Sequence, residues 1–351
     1  MISVLVVDDS AFMRKWMSDA INQQEDLQVV AIAKNGKQAI ELITKGTITV
    51  DVITMDVEMP EIDGLEAVEV IMKENPTPII MVSTLTRQGA TETIRALTLG
   101  AFDFVQKPSG AISLNMELVE EELFTKIRLA KQANVQSSGI ESVQPNASVN
   151  DEINRSATKK VIAIGASTGG PRVLQHVLER LPPLDVPIFI VQHMPKAFTE
   201  TFAQRLDRIC KMPVKEATDG ERVKNGVVYV APGDRHMLIK ELMSGTKTIE
   251  LRVDSPYGRD IHQPSVNSLF YSLATIEKTT VLAVVLTGMG NDGMNGLTLL
   301  KKEQEVTVIA ESKQSAVVYG MPKAVIEADL ADYVVPAMQM APEMLKVLRS
   351  L

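Results

Sequence analysis

The apolar positions of this chain fall into two successive series, each alternating short hydrophobic runs with amphipathic stretches. In the first, the runs VLVV, LQVVAIA, VDVITMD, PIIMVST and DFVQKP alternate with helical patterns near 11–22, 36–45, 64–74, 88–98 and 113–132. Short apolar runs without strict alternation suit strands buried on both faces of a parallel sheet. Leu65, Val68, Ile71 and Met72 recur at helical spacing, as do Val119, Leu123, Ile127 and Ala130. Five such units with short connections predict a doubly wound, flavodoxin-like (βα)5 sheet with strand order 2-1-3-4-5.

The second series opens at Lys160 with VIAIG and continues through PIFIVQH to His193, with a helical stretch near 198–209. GVVYVAP and HMLIK read as an antiparallel pair around Gly233-Asp234, to which TIELRVD adds. A helix near 265–276, the buried run VLAVVLTG, VTVIA, a helix near 322–327, DYVV and a terminal helix complete it. This predicts a second, mostly parallel α/β sheet with a β-hairpin insertion. Between the series, residues 133–158 hold no aromatic residue and no Leu, and Ser, Asn and Gln dominate. Such a composition cannot bury enough surface to fold alone, so the expected division is 1–132, a flexible linker at 133–158, and 159–351.

Composition narrows the class. At 351 residues the chain exceeds one ordinary core, and 45% hydrophobic with 23% charged residues is usual for a globular protein. A net charge of −8 argues against a nucleic-acid partner. The single cysteine, Cys210, excludes an internal disulfide, and no apolar run approaches the ~20 residues of a membrane span. MISVLVVDDS carries no basic n-region, so a cytoplasmic protein without membrane insertion is expected.

In a doubly wound sheet, ligands collect beyond the carboxyl ends of the strands. Asp8 and Asp9 end the first strand and Asp56 the third, its neighbour, so three carboxylates converge. Left alone they repel, and a hard divalent cation such as Mg²⁺ relieves this with oxygen ligands. Ser83 or Thr84 ends the fourth strand and Lys107 the fifth. A hydroxyl and an ammonium facing such carboxylates make a site for a phosphoryl group. The pieces VVDDS, MDVEMPEIDG, the MVST strand end and VQKP resemble the response-regulator receiver domain over the whole first series. The resemblance implies that Asp56 accepts phosphate from a histidine kinase, and that Asp8, Asp9, Asp56 and the Glu58 carbonyl hold Mg²⁺. It also implies that Ser83 and Lys107 act as switch residues.

In the second series, Gly165-Ala166-Ser167-Thr168-Gly169 matches the G-x-S-x-G elbow, with Pro171 where a helix's first turn tolerates it. By itself the stretch fits a nucleophile elbow and equally a glycine-rich turn that packs or holds a phosphate. A nucleophile needs a base. His176 lies nine positions along the following helix and points away, whereas His193 ends the next strand, ~5 Å across the sheet. His236 and His262 have no strand-end position. Asp292 follows the buried strand ending Thr287-Gly288, in a loop whose glycines admit close backbone approach and free N–H groups. Asp219, Asp234, Asp254 and Asp260 read as solvated turn residues.

GASTGG, VQHMP, APGDRHM, the H-x-PSV segment at 262–266 and LTGMGNDG together resemble the chemotaxis protein-glutamate methylesterases, the CheB family, in which a receiver domain precedes the catalytic one. The resemblance implies a Ser167–His193–Asp292 triad, an oxyanion contact from the Met289 N–H and a Thr168 hydroxyl that orients His193. It implies hydrolysis of glutamate γ-methyl esters on the cytoplasmic helices of chemoreceptors, deamidation of receptor glutamines, and no cofactor for the ester chemistry. A switch domain ahead of an enzyme further suggests that phosphorylation relieves a blocked active site. One position departs from the pattern: Asn267 stands where Asp is expected after PSV.

Overall fold

The computed structural model describes residues 1–46, 48–84, 86–108, 114–133, 159–257 and 262–351. Contacts divide the chain into two compact units, Met1–Gly139 and Ile140–Leu351. Apart from Ala133, the expected linker lies outside the described residues.

The first unit is a five-stranded sheet of order β2-β1-β3-β4-β5, built from β1 (Ile2–Val7), β2 (Leu27–Ala33), β3 (Val52–Asp56), β4 (Ile79–Ser83) and β5 (Asp103–Gln106). Every pairing is parallel, so all the carboxyl ends share one edge. The crossover helices are α1 (Ala11–Asn22), α2 (Gly36–Thr44), α3 (Gly64–Glu74), α4 (Arg87–Leu99) and α5 (Leu114–Gln132). The first four begin at side-chain caps: Ser10, Asn35, Asp63 and Thr86 each accept a backbone N–H of the opening turn. Leu65, Val68, Ile71 and Met72 are buried on α3, and Leu123, Ile127 and Ala130 on α5, as their spacing predicts.

The second unit is a seven-stranded parallel sheet of order β14-β13-β12-β6-β7-β9-β8. Its centre is β12 (Thr279–Val285), β6 (Lys159–Ala166) and β7 (Ile188–Gln192). Flanking these are β13 (Glu305–Glu311) and β14 (Tyr333–Val335) on one side, and β9 (Val228–Val230) and β8 (Val214–Glu216) on the other. The helices are α6 (Gly170–Arg180), α7 (Lys196–Asp207), α8 (Val266–Ala274), α9 (Met294–Glu303), α10 (Met321–Glu327) and α11 (Ala337–Ser350). Among the described residues no helix is long and apolar enough to cross a membrane.

One expected pairing is corrected. GVVYVAP does not pair with HMLIK; it supplies β9, which lies parallel between β7 and β8 in the main sheet. All three β9 residues are buried, as a strand covered on both faces requires. The antiparallel hairpin is instead β10 (His236–Glu241) with β11 (Lys247–Arg252), closed by a turn in which Leu242 donates to the Thr246 carbonyl. Gly233 is not a hairpin turn: a Cβ there would fall 2.1 Å from the Lys196 nitrogen, so the glycine admits the start of α7. The hairpin covers the sheet. Met237, Ile239 and Ile249 pack with Leu269, Phe270 and Leu273 of α8 over Val161, Phe189, Val191 and Tyr229.

The strand that leads into Ser167 gives Val161 and Ala163 to this core, and Ile164, on the opposite face of the strand, is also wholly buried. Ile164→Ala is expected to cost about 2–5 kcal/mol through lost transfer energy and the cavity left behind. Urea unfolding would read this as a lower midpoint at unchanged slope.

Candidate functional site

In the second unit, β6 runs directly into Ser167, and α6 begins three residues later. Gly169 takes a left-handed φ of 78°, which turns the chain sharply between strand and helix. β7 pairs with β6 so that Ala166 lies opposite Gln192, and the ladder continues one step further as His193 N–H donates to the Ala166 carbonyl at 3.0 Å. Ser167 and His193 therefore leave adjacent strand ends at the same level. The other side of β6 is β12, and the loop that follows β12 returns Asp292 to this edge.

His193 Nε2 lies 2.7 Å from Asp292 Oδ2. Asp292 is also seated on the start of α8: its carboxylate accepts the N–H of Val266 at 2.8 Å, that of Asn267 at 2.9 Å and the Ser265 hydroxyl at 3.1 Å. Burial pushes this carboxyl upward, but the hydrogen bond and charge of His193 and the two helix N–H groups outweigh it and hold it below its ordinary value. An ionised Asp292 requires the proton on Nε2 of His193. The other ring nitrogen, Nδ1, is buried without a hydrogen-bond partner among the described residues, and it alone can accept a proton.

The loop after β12 reaches Ser167 through its backbone. Ser167 N–H donates to the Thr287 carbonyl at 3.0 Å, and the Thr287 hydroxyl donates to the Thr168 carbonyl at 2.9 Å. Gly288 packs so closely that a Cβ there would meet the Ser167 Cβ at 2.7 Å. The Gly288 N–H is taken up by the Val318 carbonyl. Met289 follows, exposed, with Gly290 behind it at a φ of 78°.

Sequence reasoning missed several contributors. His262, passed over for want of a strand-end position, stacks on His193 with ring centroids 4.1 Å apart. Ser265 caps α8 and touches Asp292. Asn267, the departure from the expected Asp, donates its backbone N–H to Asp292 while its side-chain oxygen accepts Gly293 and Gly296 N–H groups. A second carboxylate here would crowd charge against Asp292; the amide does not. Glu311 is wholly buried, accepts the Thr287 N–H and the Ser315 hydroxyl, and is pushed up to about 7 by burial. Only the PSV spacing hinted at any of these. His176 is buried away from the site and held down to about 4 by burial and the charges of Arg180 and Arg172. Cys210 is pushed up to about 12 by burial.

In the first unit, Asp8, Asp9 and Asp56 bring carboxylate oxygens within 4.8 Å of one another. Lys107 Nζ lies 2.7 Å from Asp56 and 3.0 Å from Asp8. Burial and the charge of Asp8 raise Asp56 to about 6 despite the opposing lysine. Asp9, Asp56, Glu58, Thr84 and Lys107 line a cavity of about 540 Å³. Ser83 is fully buried, and its hydroxyl donates to the Thr84 carbonyl. Three carboxylates against one ammonium leave an excess of hard oxygen donors, those of Asp9 and Asp56 lining the cavity, which fits a divalent cation.

The model of the CheB methylesterase family matches residues 162–344, and that of the response regulator receiver domain matches residues 4–118. A protein-glutamate methylesterase/protein-glutamine glutaminase of Geobacillus kaustophilus is 46% identical over 337 residues, covering 95% of each chain. The protein of that name from Thermotoga maritima is 44% identical over 347 residues, covering 99% of this chain and 98% of its own. The crystal structure of the Thermotoga maritima CheB methylesterase catalytic domain is 42% identical and superimposes with a TM-score of 0.51, covering 55% of this chain and all of that domain. With a receiver ahead of its Ser–His–Asp edge, this chain belongs to the CheB methylesterase family.

Proposed function

We propose that this protein is a phosphorylation-regulated protein-glutamate methylesterase and protein-glutamine glutaminase, in which Ser167, His193 and Asp292 carry the chemistry. The observation that supports it most directly is the His193–Asp292 pair, 2.7 Å apart, at the strand end beside Ser167. Its substrates are glutamate γ-methyl esters and glutamines of chemoreceptors, and its phosphodonor is a chemotaxis histidine kinase.

The Ser167 hydroxyl attacks the γ-carbonyl as Nδ1 of His193 takes its proton. The negative charge that develops on the carbonyl oxygen is met by the Met289 N–H at the turn beside Ser167. Thr168, next to the nucleophile, orients His193. Asp292 holds the Nε2 proton and stabilises the imidazolium. Nδ1 then protonates the departing methoxide, releasing methanol; with a glutamine substrate the leaving group is ammonia. Water attacks the acyl-enzyme with His193 as base, His193 returns that proton to the departing Ser167 oxygen, and the receptor side chain leaves as a glutamate carboxylate.

In the receiver, Asp56 is the phosphoacceptor. Asp8, Asp9, Asp56 and the Glu58 carbonyl would hold Mg²⁺, which when bound offsets charge on the incoming phosphoryl group. Lys107 supplies a second positive charge there, and Ser83 at the end of β4 senses the modified state.

Ser167→Ala is expected to abolish methanol release from methylated receptor membranes while leaving the circular dichroism spectrum unchanged. Asp292→Asn is expected to lower kcat by about 10⁴-fold, since an amide cannot fix the required tautomer. Because the Asp292 carboxyl is held below its ordinary 3.8, its stabilising contribution is complete above that pH and disappears as pH falls below it. The urea midpoints of wild type and Asp292→Asn are therefore expected to converge on acidification. Asp56→Asn is expected to lose stimulation by acetyl phosphate, and chelation of divalent cations to have the same effect on the unmodified protein; a variant still stimulated would remove Asp56 from its role.

A further inference from the structure

We propose that Gln192 is a positioning residue for ester cleavage, its side-chain amide locking the backbone that carries the nucleophile to the backbone that carries the base. This rests on the roles given above to Ser167 and His193.

Gln192 is the last residue of β7, only 2% exposed, and directly precedes His193. Its Nε2 donates to the Ser167 carbonyl at 2.9 Å and to the His193 carbonyl at 3.1 Å. Two carbonyl acceptors demand an NH₂ group at this point, which settles which end of the amide faces them. Both of its donor hydrogens are therefore spent on the two residues between which the proton must pass. Few other side chains could do this. A carboxylate would set a charged oxygen against two carbonyl oxygens, Asn is one methylene short, and an aliphatic chain has no donor.

The fold makes room for this amide at the cost of a helix-forming residue. Gly170 opens α6, and a Cβ there would meet Gln192 Oε1 at 2.1 Å. That oxygen is buried without a hydrogen-bond partner among the described residues, so the amide is retained although only its NH₂ end is satisfied. The ladder bond from His193 N–H to the Ala166 carbonyl fixes the height of the two strand ends. Beyond that bond the chains diverge, one into the sharp turn of Gly169 and the other towards α7. Gln192 is the side chain that bridges them where regular pairing has stopped.

A misplacement of the serine by a fraction of an ångström raises the barrier without altering how the receptor segment docks. Gln192→Met and Gln192→Glu are accordingly expected to lower kcat ~10- to 100-fold. KM and the pH of the acid limb of kcat/KM are expected to stay where they are, because the His193–Asp292 pair is untouched. Inactivation of Ser167 by a small fluorophosphonate is expected to slow in parallel. Gly170→Ala, which ordinarily favours a helix, is expected to reproduce the kcat loss by displacing the amide. In a Gln192→Ala background the same change is expected to add less than it does alone.

Full kcat in Gln192→Met, or effects of Gly170→Ala and Gln192→Ala that simply multiply, would overturn the proposal. So would a fall in kcat that only tracks the fraction of folded protein, or a matching rise in KM. An active Ser167→Ala protein would instead remove the nucleophile assignment on which the proposal stands.

Discussion

Parallel pairing of β6 with β7 is the constraint on which the proposed catalytic edge depends. Backbone ladders leave no freedom in where neighbouring strands end, so fixing Ala166 against Gln192 fixes the residues that follow both. The serine and the histidine need no long-range search to find each other. The acid arrives differently: β12 lies on the far side of β6, and its loop must pass beneath the start of α8 to reach the histidine. The hairpin β10–β11 and α8 pack over the same face of the sheet, so the helix that receives the acid is held by the hydrophobic core itself.

The two units place buried carboxylates at strand ends to opposite effect. Asp292 meets donors on every side and keeps its charge below the ordinary range. Asp56 faces another carboxylate, and even a lysine at 2.7 Å leaves it raised to about 6. The first environment is complete. The second is short of positive charge, which suits the cation and phosphoryl group proposed for it.

Much of this could be read from the chain because strand-end residues are legible in a doubly wound pattern. Ser167, His193, Asp56 and Lys107 each close an apolar run, and topology alone carries them to a shared edge. What the pattern hides is contact between segments that sequence spacing does not relate. His262 reaches His193 by stacking from a loop, and Glu311 reaches Thr287 from the end of a different strand. Gln192 looked like one more strand residue, yet its side chain turns to the site. The β9 error has a similar origin: Gly233-Asp234 has the composition of a hairpin turn, but the glycine answers to crowding by Lys196, which local sequence cannot reveal.

The seat of Asp292 carries a consequence for motion as well as for charge. The same carboxylate bonds to the histidine and to the first two amides of α8. Fraying of that first helical turn would strip two of its donors at once and favour the protonated acid, detuning the proposed base without moving it. In the proposed mechanism, local opening at this helix end and catalytic competence are therefore linked. The hydrogen-exchange lifetimes of the Val266 and Asn267 amides would serve as a clock for how often the enzyme is switched off by its own breathing.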